Sequence, residues 1–472
     1  MMWGRYVWGG LVTTLNILLY AITFDRFLWL EGRVTRGVFT NWAFHFKYRA
    51  RAVHYPTSED EIIERIKSSG KVRVFGSGHS FNPGIVSDEA LLSLDRYNAI
   101  LDFDGPAKRL TVQAGMRVRD VTRNLLQRNL AFVALPSHDA QSIGGILSTD
   151  VHGTGRDWGF VHESVVSMKI IDGRGDVHVC TPEDDLFRAA VGGVGAVGII
   201  TEVTIQAVER FNIEQHFKIS TLDHVEEHFD RLHDENEHFG LFILPFTEKC
   251  QLNRWNSTSK SKSICGRLRE FVVISFDALM ASWVANFISY ARLLPRVSDL
   301  AHSIKQGTNL VLESHNAHNR SIYHIHQEIE VAVDYSKVFE VCRELKAMSE
   351  ELYSQGLPYF VLEIRFTPAG RKGSLIGAGR DRRSAWIDII ACDSPGYELL
   401  YQKAEDVFKK AGGRPHLGKY CRGYGYEELL AMHGKHFERF LELRAEHDPE
   451  EKFSNPFTQR MFTPPRKFHP GG

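Results

Sequence analysis

Three glycine-rich segments, each set differently against its neighbouring strand or helix, constrain this chain most. The first, Gly76-Ser77-Gly78-His79-Ser80-Phe81-Asn82, follows the strand-like Val72-Arg73-Val74-Phe75 directly. Its two glycines let backbone N–H groups turn inward without Cβ clashes, while serine and asparagine add donors, as in a loop that cradles a diphosphate. No Gly-Lys-Ser/Thr follows, so it is not a Walker A loop. A plain Gly-Ser turn is the competing reading. The second runs from Ser142 through Gly144, Gly145, His152 and Gly153 to Gly155 and carries little charge. It implies close backbone approach to something flat or phosphorylated, or a buried glycine turn in a β-rich core. The third, Gly192-Gly193-Val194-Gly195-Ala196-Val197-Gly198, contains a literal GxGxxG. A Rossmann fingerprint runs strand, glycines, helix. Here residues 184–190 are helical in pattern and 199–208 strand-like, so the order is inverted and that fingerprint is excluded.

Composition narrows the class further. At 472 residues with 43% apolar and 24% charged, the chain is globular and long enough for more than one domain. Lys plus Arg is 57 against 58 for Asp plus Glu, which leaves no bulk electrostatic pull toward nucleic acid. The six cysteines include no CxxC, against a disulfide scaffold or a zinc ribbon. His315, His318, His324 and His326 form the densest histidine cluster, but no carboxylate or cysteine at diagnostic spacing completes a metal site, and none is expected. No Gly-x-Ser-x-Gly elbow supports a serine hydrolase.

A mean hydropathy of −0.24 excludes a polytopic membrane protein and leaves room for one anchor. Tyr6 to Phe24 has no charged residue, and a helix of that length rises ~28 Å, close to a bilayer's hydrocarbon core. Gly9, Gly10, Thr13, Thr14 and Asn16 weaken it. A single-pass N-terminal membrane anchor, a cleaved signal and a peripheral helix compete; Asp25 to Leu30 offers no small-residue cleavage site, which favours retention. Arg26, Arg33, Arg36, Lys47, Arg49 and Arg51 follow the run and only Arg5 precedes it, so the positive-inside rule places the body on the cytosolic side. Sequons at Asn256 and Asn319 would point the other way if used. Phe271 to Ala291 is a second apolar region, interrupted by Asp277 and read as a buried or amphipathic helix. With Lys260, Lys262, Arg267 and Arg269 it has the makings of a contact with an anionic membrane surface.

The rest reads as mixed α and β: helix over 59–68, strands over 72–75 and 110–114, helix over 118–127 and a β-branched strand over 199–208. Residues 222–236 are polar and helical, and 256–269 looks like a loop. A domain boundary is placed near residue 212.

The three glycine segments, in this order and spacing, resemble the FAD-binding domain of the vanillyl-alcohol-oxidase-type flavoproteins. Within that group the chain is similar to the sugar-lactone and alditol oxidases, including L-gulonolactone and D-arabinono-lactone oxidases. The resemblance starts at Thr40-Asn41-Trp42-Ala43 and Tyr55-Pro56-Thr57. It resumes at Glu363-Ile364-Arg365, at Arg414-Pro415-His416-Leu417-Gly418-Lys419, and at Phe440 to Phe453. It implies an α+β fold: a two-subdomain VAO/PCMH-type FAD-binding domain at 41–212, a mixed α/β substrate (cap) domain at 213–420, and a segment, 421–472, returning to the FAD domain. Residues 1–40 would be anchor and linker. The resemblance also implies FAD contacts at Gly76, Ser77, Gly78, His79, Ser80, Asn82, Ser142, Gly145, His152, Gly153, Gly198 and Ile200, with His79 bound covalently to the flavin 8α-methyl. Ser142 matches a residue that reaches the substrate in some relatives.

For catalysis the resemblance implies Glu363, Arg365 and Lys419. A spacing of two puts Glu363 and Arg365 on one face of a strand. Arg365 is a cation for charge near flavin N1 or the substrate oxygen, and Glu363 holds substrate hydroxyls or the arginine. By itself this pair also fits a strand-borne ion pair. The implied reaction moves a hydride from a sugar lactone or polyol to flavin N5, with O2 or another acceptor reoxidising the flavin. Two departures stand out: Leu417 replaces the family's tryptophan, and Asp150-Val151 replaces a glycine and a small residue.

Overall fold

The computed structural model describes residues 2–23, 31–279, 293–304, 308–319, 326–370, 373–391 and 396–465. Asp25 to Leu30, most of the second apolar region beyond Leu279, and His324 lie outside the described residues. The first apolar run forms helix α1 (Met2–Thr23). It buries Val12 and Thr13 and turns Trp8, Leu11, Leu15, Leu18 and Ile22 outward. Among the described residues no helix is long and apolar enough to cross a membrane. The expected span is therefore not supported, because the glycines, threonines and asparagine of α1 dilute its apolar character.

The first core is built on two sheets. β1 (Ala52–His54), β2 (Val72–Phe75) and β3 (Ala90–Ser93) pair in parallel, in the order β1-β3-β2. Helix α2 (Glu59–Ser68) links β1 to β2. The Ser58 side chain caps it by accepting from Glu61 N–H, and Ile62 and Ile66, four apart, face the core. The second sheet is antiparallel: β4 (Ile100–Asp104), β5 (Arg109–Gln113), β6 (Val165–Ile171), β7 (Val177–Cys180) and β8 (Ile199–Gln206), ordered β7-β6-β8-β5-β4. Helix α3 (Ile143–Ser148) packs on β8. Phe437 and Phe440, on helix α7 (Lys435–His447), and Phe453, Phe457 and Met461 complete this core from the far end of the chain.

The second core lies against one antiparallel eight-stranded sheet: β9 (Asn212–Thr221), β10 (His238–Ile243), β11 (Lys249–Thr258), β12 (Asn309–Glu313), β13 (Gln327–Asp334), β14 (Phe360–Thr367), β15 (Ser384–Ala391) and β16 (Arg414–Pro415). Their order is β12-β9-β11-β10-β14-β15-β13-β16. Helices α5 (Val338–Ser354) and α6 (Tyr397–Lys410) cover one face, against Ile329, Val331, Leu362, Ile364, Ile387 and Ile389. Period-two alternation leaves Glu328, Glu330, Glu363, Arg365, Trp386 and Asp388 on the other face. The stretch read as a loop over 256–269 is shorter than expected. β11 runs to Thr258 on ten pairs with β9, and helix α4 (Gly266–Leu279) starts within it and lies against α1.

Arg73 draws the first half together. From β2 it donates to the carbonyls of Gly84, Val194, Gly195 and Phe453, which come from three separate segments. Burial lowers its pKa to about 10, so it stays charged at neutral pH. Arg73→Met leaves these acceptors without their donor at ~1–3 kcal/mol for each one that stays buried. It is expected to lower the unfolding free energy by at least ~3 kcal/mol in urea titrations. A midpoint equal to wild type would contradict this role.

Candidate active site

One large cavity opens between the two cores. It encloses about 1560 Å³ not filled by protein atoms, open solvent at its mouth included. Its lining joins the glycine-rich segments of the first core to the charged strand face of the second. Gly76, Ser77, Gly78, His79, Ser80, Asn82, Ser142, Gly145, His152, Gly198, Ile200, Glu363, Arg365 and Lys419 all line it. Gly153 does not. Its N–H donates to the Gly159 carbonyl at 2.8 Å, and a Cβ there would fall 2.6 Å from the Leu135 carbonyl oxygen, so it serves close packing.

The glycine loop after β2 is shaped by close approach. A Cβ on Gly76 would lie 1.8 Å from Ser142 Oγ. Ser142 in turn caps α3, accepting from Gly145 N–H at 3.3 Å. Gly78 has φ +64°, which other residues rarely adopt, and its carbonyl accepts from Trp42 N–H at 3.1 Å. The Trp42 ring stacks on His79 at 5.3 Å and 11°. His138 lies 5.6 Å from His79 and is held well below the usual histidine range by burial and by His79.

The same loop is stitched to the segment bearing Lys419. Phe81 N–H donates to the Gly418 carbonyl at 2.9 Å, and Asn82 Nδ2 donates to the Lys419 carbonyl at 3.1 Å. Lys419 thereby points across the cavity at the polar face of β13–β15.

That face carries a row of acids. Glu363, Asp388 and Glu330 are register partners on β14, β15 and β13. Arg365 donates to Glu330 and lies 3.8 Å from Asp388. Lys419 pairs with Glu328 and lies 3.9 Å from Glu330 and 3.7 Å from Asp388. His152 stacks on Trp386 at 3.8 Å and sets its Nε2 3.1 Å from Glu330. Burial disfavours charge throughout. Even so, Arg365 and His152 hold Glu330 well below the usual carboxylate range, and Lys419 and His326 do the same for Glu328. Lys419 is raised, because Asp388, Glu328 and Glu330 overcome its burial. His416 is lowered to about 4, chiefly by burial.

Glu328, Glu330, Asp388 and His138 are site residues that sequence reasoning missed. The available signal was acids at alternate positions in otherwise apolar strands, Glu328-Ile329-Glu330-Val331 and Ile387-Asp388-Ile389. Asp150, one of the two departures, is turned away from the cavity and bonds His162 Nδ1 at 2.7 Å.

Fold and site together define a VAO/PCMH-like, FAD-dependent oxidoreductase acting on CH–OH groups. A model of the FAD-binding domain matches residues 50–181, and one of D-arabinono-1,4-lactone oxidase matches residues 203–461. The second spans more than half of the chain, which belongs to the D-arabinono-1,4-lactone oxidase family. L-gulono-1,4-lactone dehydrogenase of Mycobacterium tuberculosis is 26% identical over 90% of this chain and 99% of its own. L-gulonolactone oxidase of Mus musculus is 26% identical over 90% and 99%. D-arabinono-1,4-lactone oxidase of Saccharomyces cerevisiae is 32% identical over 57% and 53%. Cholesterol oxidase from B. sterolicum shares the fold, at a TM-score of 0.74 and 17% identity over 91% of this chain and 97% of that one.

Glu330 carries a linkage prediction. Its depressed folded pKa contributes stability that is present above the unfolded value of ~4.3 and lost as pH falls through the folded value. Glu330→Gln is expected to cost ~3–5 kcal/mol at neutral pH, since Arg365 loses a buried partner. In thermal unfolding across pH, the gap from wild type is expected to narrow below pH ~4. A gap that widens on acidification would contradict the pairing.

Proposed function

We propose that this enzyme oxidises a hydroxyl-bearing carbon of an aldono-1,4-lactone or related polyol, with O2 as acceptor giving H2O2. One observation carries the reading. The charged face of β13–β15 and Lys419 line the same cavity as the glycine loop, so a polyhydroxylated neutral ligand meets fixed donors and acceptors beside the cofactor. The residues fit FAD, with a close-packed loop at Gly76–Asn82 whose Gly76 and Gly78 leave no space for side chains. Bound FAD supplies the hydride acceptor, at N5. Arg365, its charge reinforced by Glu330, would stabilise the negative charge that builds at the hydride acceptor or on the substrate oxygen as it loses its proton. Glu363 and Lys419 orient substrate hydroxyls. His79, fixed by its stack on Trp42, is the residue proposed to bind the flavin 8α-methyl covalently. The lactones in the names of the relatives support the substrate class.

A second reading is a dehydrogenase that passes electrons to another acceptor. The mycobacterial relative, matched over 90% of this chain, bears that name. Measuring H2O2 against dye reduction separates the two.

The purified enzyme is expected to be yellow and to keep its colour through acid precipitation, whereas His79→Ala releases it. Anaerobic bleaching with a panel of aldonolactones and alditols identifies the substrate. Lys419→Ala and Arg365→Ala are each expected to slow lactone-dependent bleaching at least ~100-fold. Unchanged bleaching in both variants would sink the assignment.

A further inference from the structure

Among the buried groups that the mechanism above leaves unused, Asp388 differs from the rest in its bonding. Asp388 is 2% exposed and lines the cavity, yet among the described residues nothing bonds its Oδ1. Its Oδ2 lies near Arg365 and Lys419, at 3.8 and 3.7 Å, beyond hydrogen-bonding distance of both. On the sheet it stands directly between Glu363 and Glu330. Like charges directly opposite one another destabilise a sheet, and a buried, incompletely paired carboxylate is costly.

The surrounding charges decide which acid takes a proton. Glu328 and Glu330, from β13, hold the close contacts with Lys419 and Arg365, and each also faces a histidine, His326 at 2.7 Å and His152 at 3.1 Å. Glu363 and Arg365 face the row from β14 and Lys419 from the segment after β16, while Tyr401 of α6 lies on the opposite face of the sheet and donates to the Ile389 carbonyl at 3.4 Å. Asp388 alone in this row combines deep burial with no close cationic bond. Burial and Glu328 push its carboxyl well above the usual range, Glu330 adds to this, and Lys419 and Arg365 pull only partly against it.

We propose that Asp388 is a specificity-determining residue that stands as the neutral acid and donates a hydrogen bond from its carboxyl to an oxygen of the bound lactone or polyol. This rests on the substrate class given under Proposed function. Ring and carbonyl oxygens of a lactone are acceptors only, so a neutral acid suits them where a carboxylate would repel them. As pH rises and Asp388 ionises, that donor is lost and binding weakens. An asparagine in its place keeps a donor and has no proton to lose.

The test uses the holoenzyme with L-gulono-1,4-lactone and xylitol as probes. Their apparent dissociation constants are read between pH ~6 and ~8.5, where the lactone survives the measurement, from the concentration dependence of the anaerobic bleaching rate, or from perturbation of the flavin spectrum where no bleaching occurs. Wild type is expected to bind the lactone more weakly toward alkaline pH, by roughly 3–10-fold, while Asp388→Asn shows no such rise; xylitol, whose hydroxyls can donate to a carboxylate, is expected to change less. Asp388→Leu, which lacks any donor, binds roughly 3–10-fold more weakly across the range. Independently, a carboxylic-acid C=O band in the infrared spectrum is expected in wild type and absent in Asp388→Asn. Absence of a band that the substitution removes overturns the proposal, as does an alkaline rise in Asp388→Asn equal to that of wild type. Binding without flavin reduction would overturn the lactone-oxidation reading alone, because the pH comparison is made on binding. Neither binding nor reduction with either probe overturns both.

Discussion

Arg365 and Lys419 face Glu328, Glu330, Glu363 and Asp388 across three neighbouring strands, and much of the site follows from how these charges share one another. Taking any of them from water is expensive unless a partner is close. The partners come from different parts of the chain: Arg365 from β14, Lys419 from the segment after β16, and His152 from the first half. The cluster is therefore formed only when the eight-stranded sheet, the glycine-rich half and the 416–419 segment are all in place.

The same dependence runs through the backbone. Asn82 holds Gly84 N–H at 2.9 Å with its carbonyl oxygen and the Lys419 carbonyl at 3.1 Å with its amide. Arg73, from the strand that leads into the loop, gathers three further segments and holds the Gly84 carbonyl. A loop built for close backbone approach is thus clamped from both sides by side chains whose partners are distant in sequence. Rigid placement of this kind lets a few fixed charges act without reorganising during a reaction.

Much of the local architecture was legible because its signals are local. Ser58 before Glu61, with Ile62 and Ile66 four apart, marks α2, and the helix–glycine–strand order around 192–198 excludes a Rossmann unit without any structure. The glycine loops, Glu363, Arg365 and Lys419 were legible through motifs. Glu328, Glu330 and Asp388 were not. Acids alternating with apolar residues read as the solvent face of a half-buried strand. Only the arrival of His152 and Lys419 from elsewhere converts that face into a cavity wall. Gly153, outside the cavity lining, poses the opposite difficulty, since a glycine required by a neighbouring carbonyl looks the same in sequence as one required by a ligand.

The two departures from the resembled pattern have different consequences. Asp150 is 7% exposed, has φ +53° and bonds His162, while Gly377 leaves room where a Cβ would come within 2.3 Å of its carboxylate. Its carboxylate is thus engaged outside the cavity, whose lining here is made by its neighbours Thr149 and Val151. Leu417 is different. It lines the cavity between His416 and Lys419, where the resembled family carries a tryptophan ring. Its side chain is buried and joins the hydrophobic core of the glycine-rich half, so this departure changes packing beside the site without altering the charges of the carboxylate row.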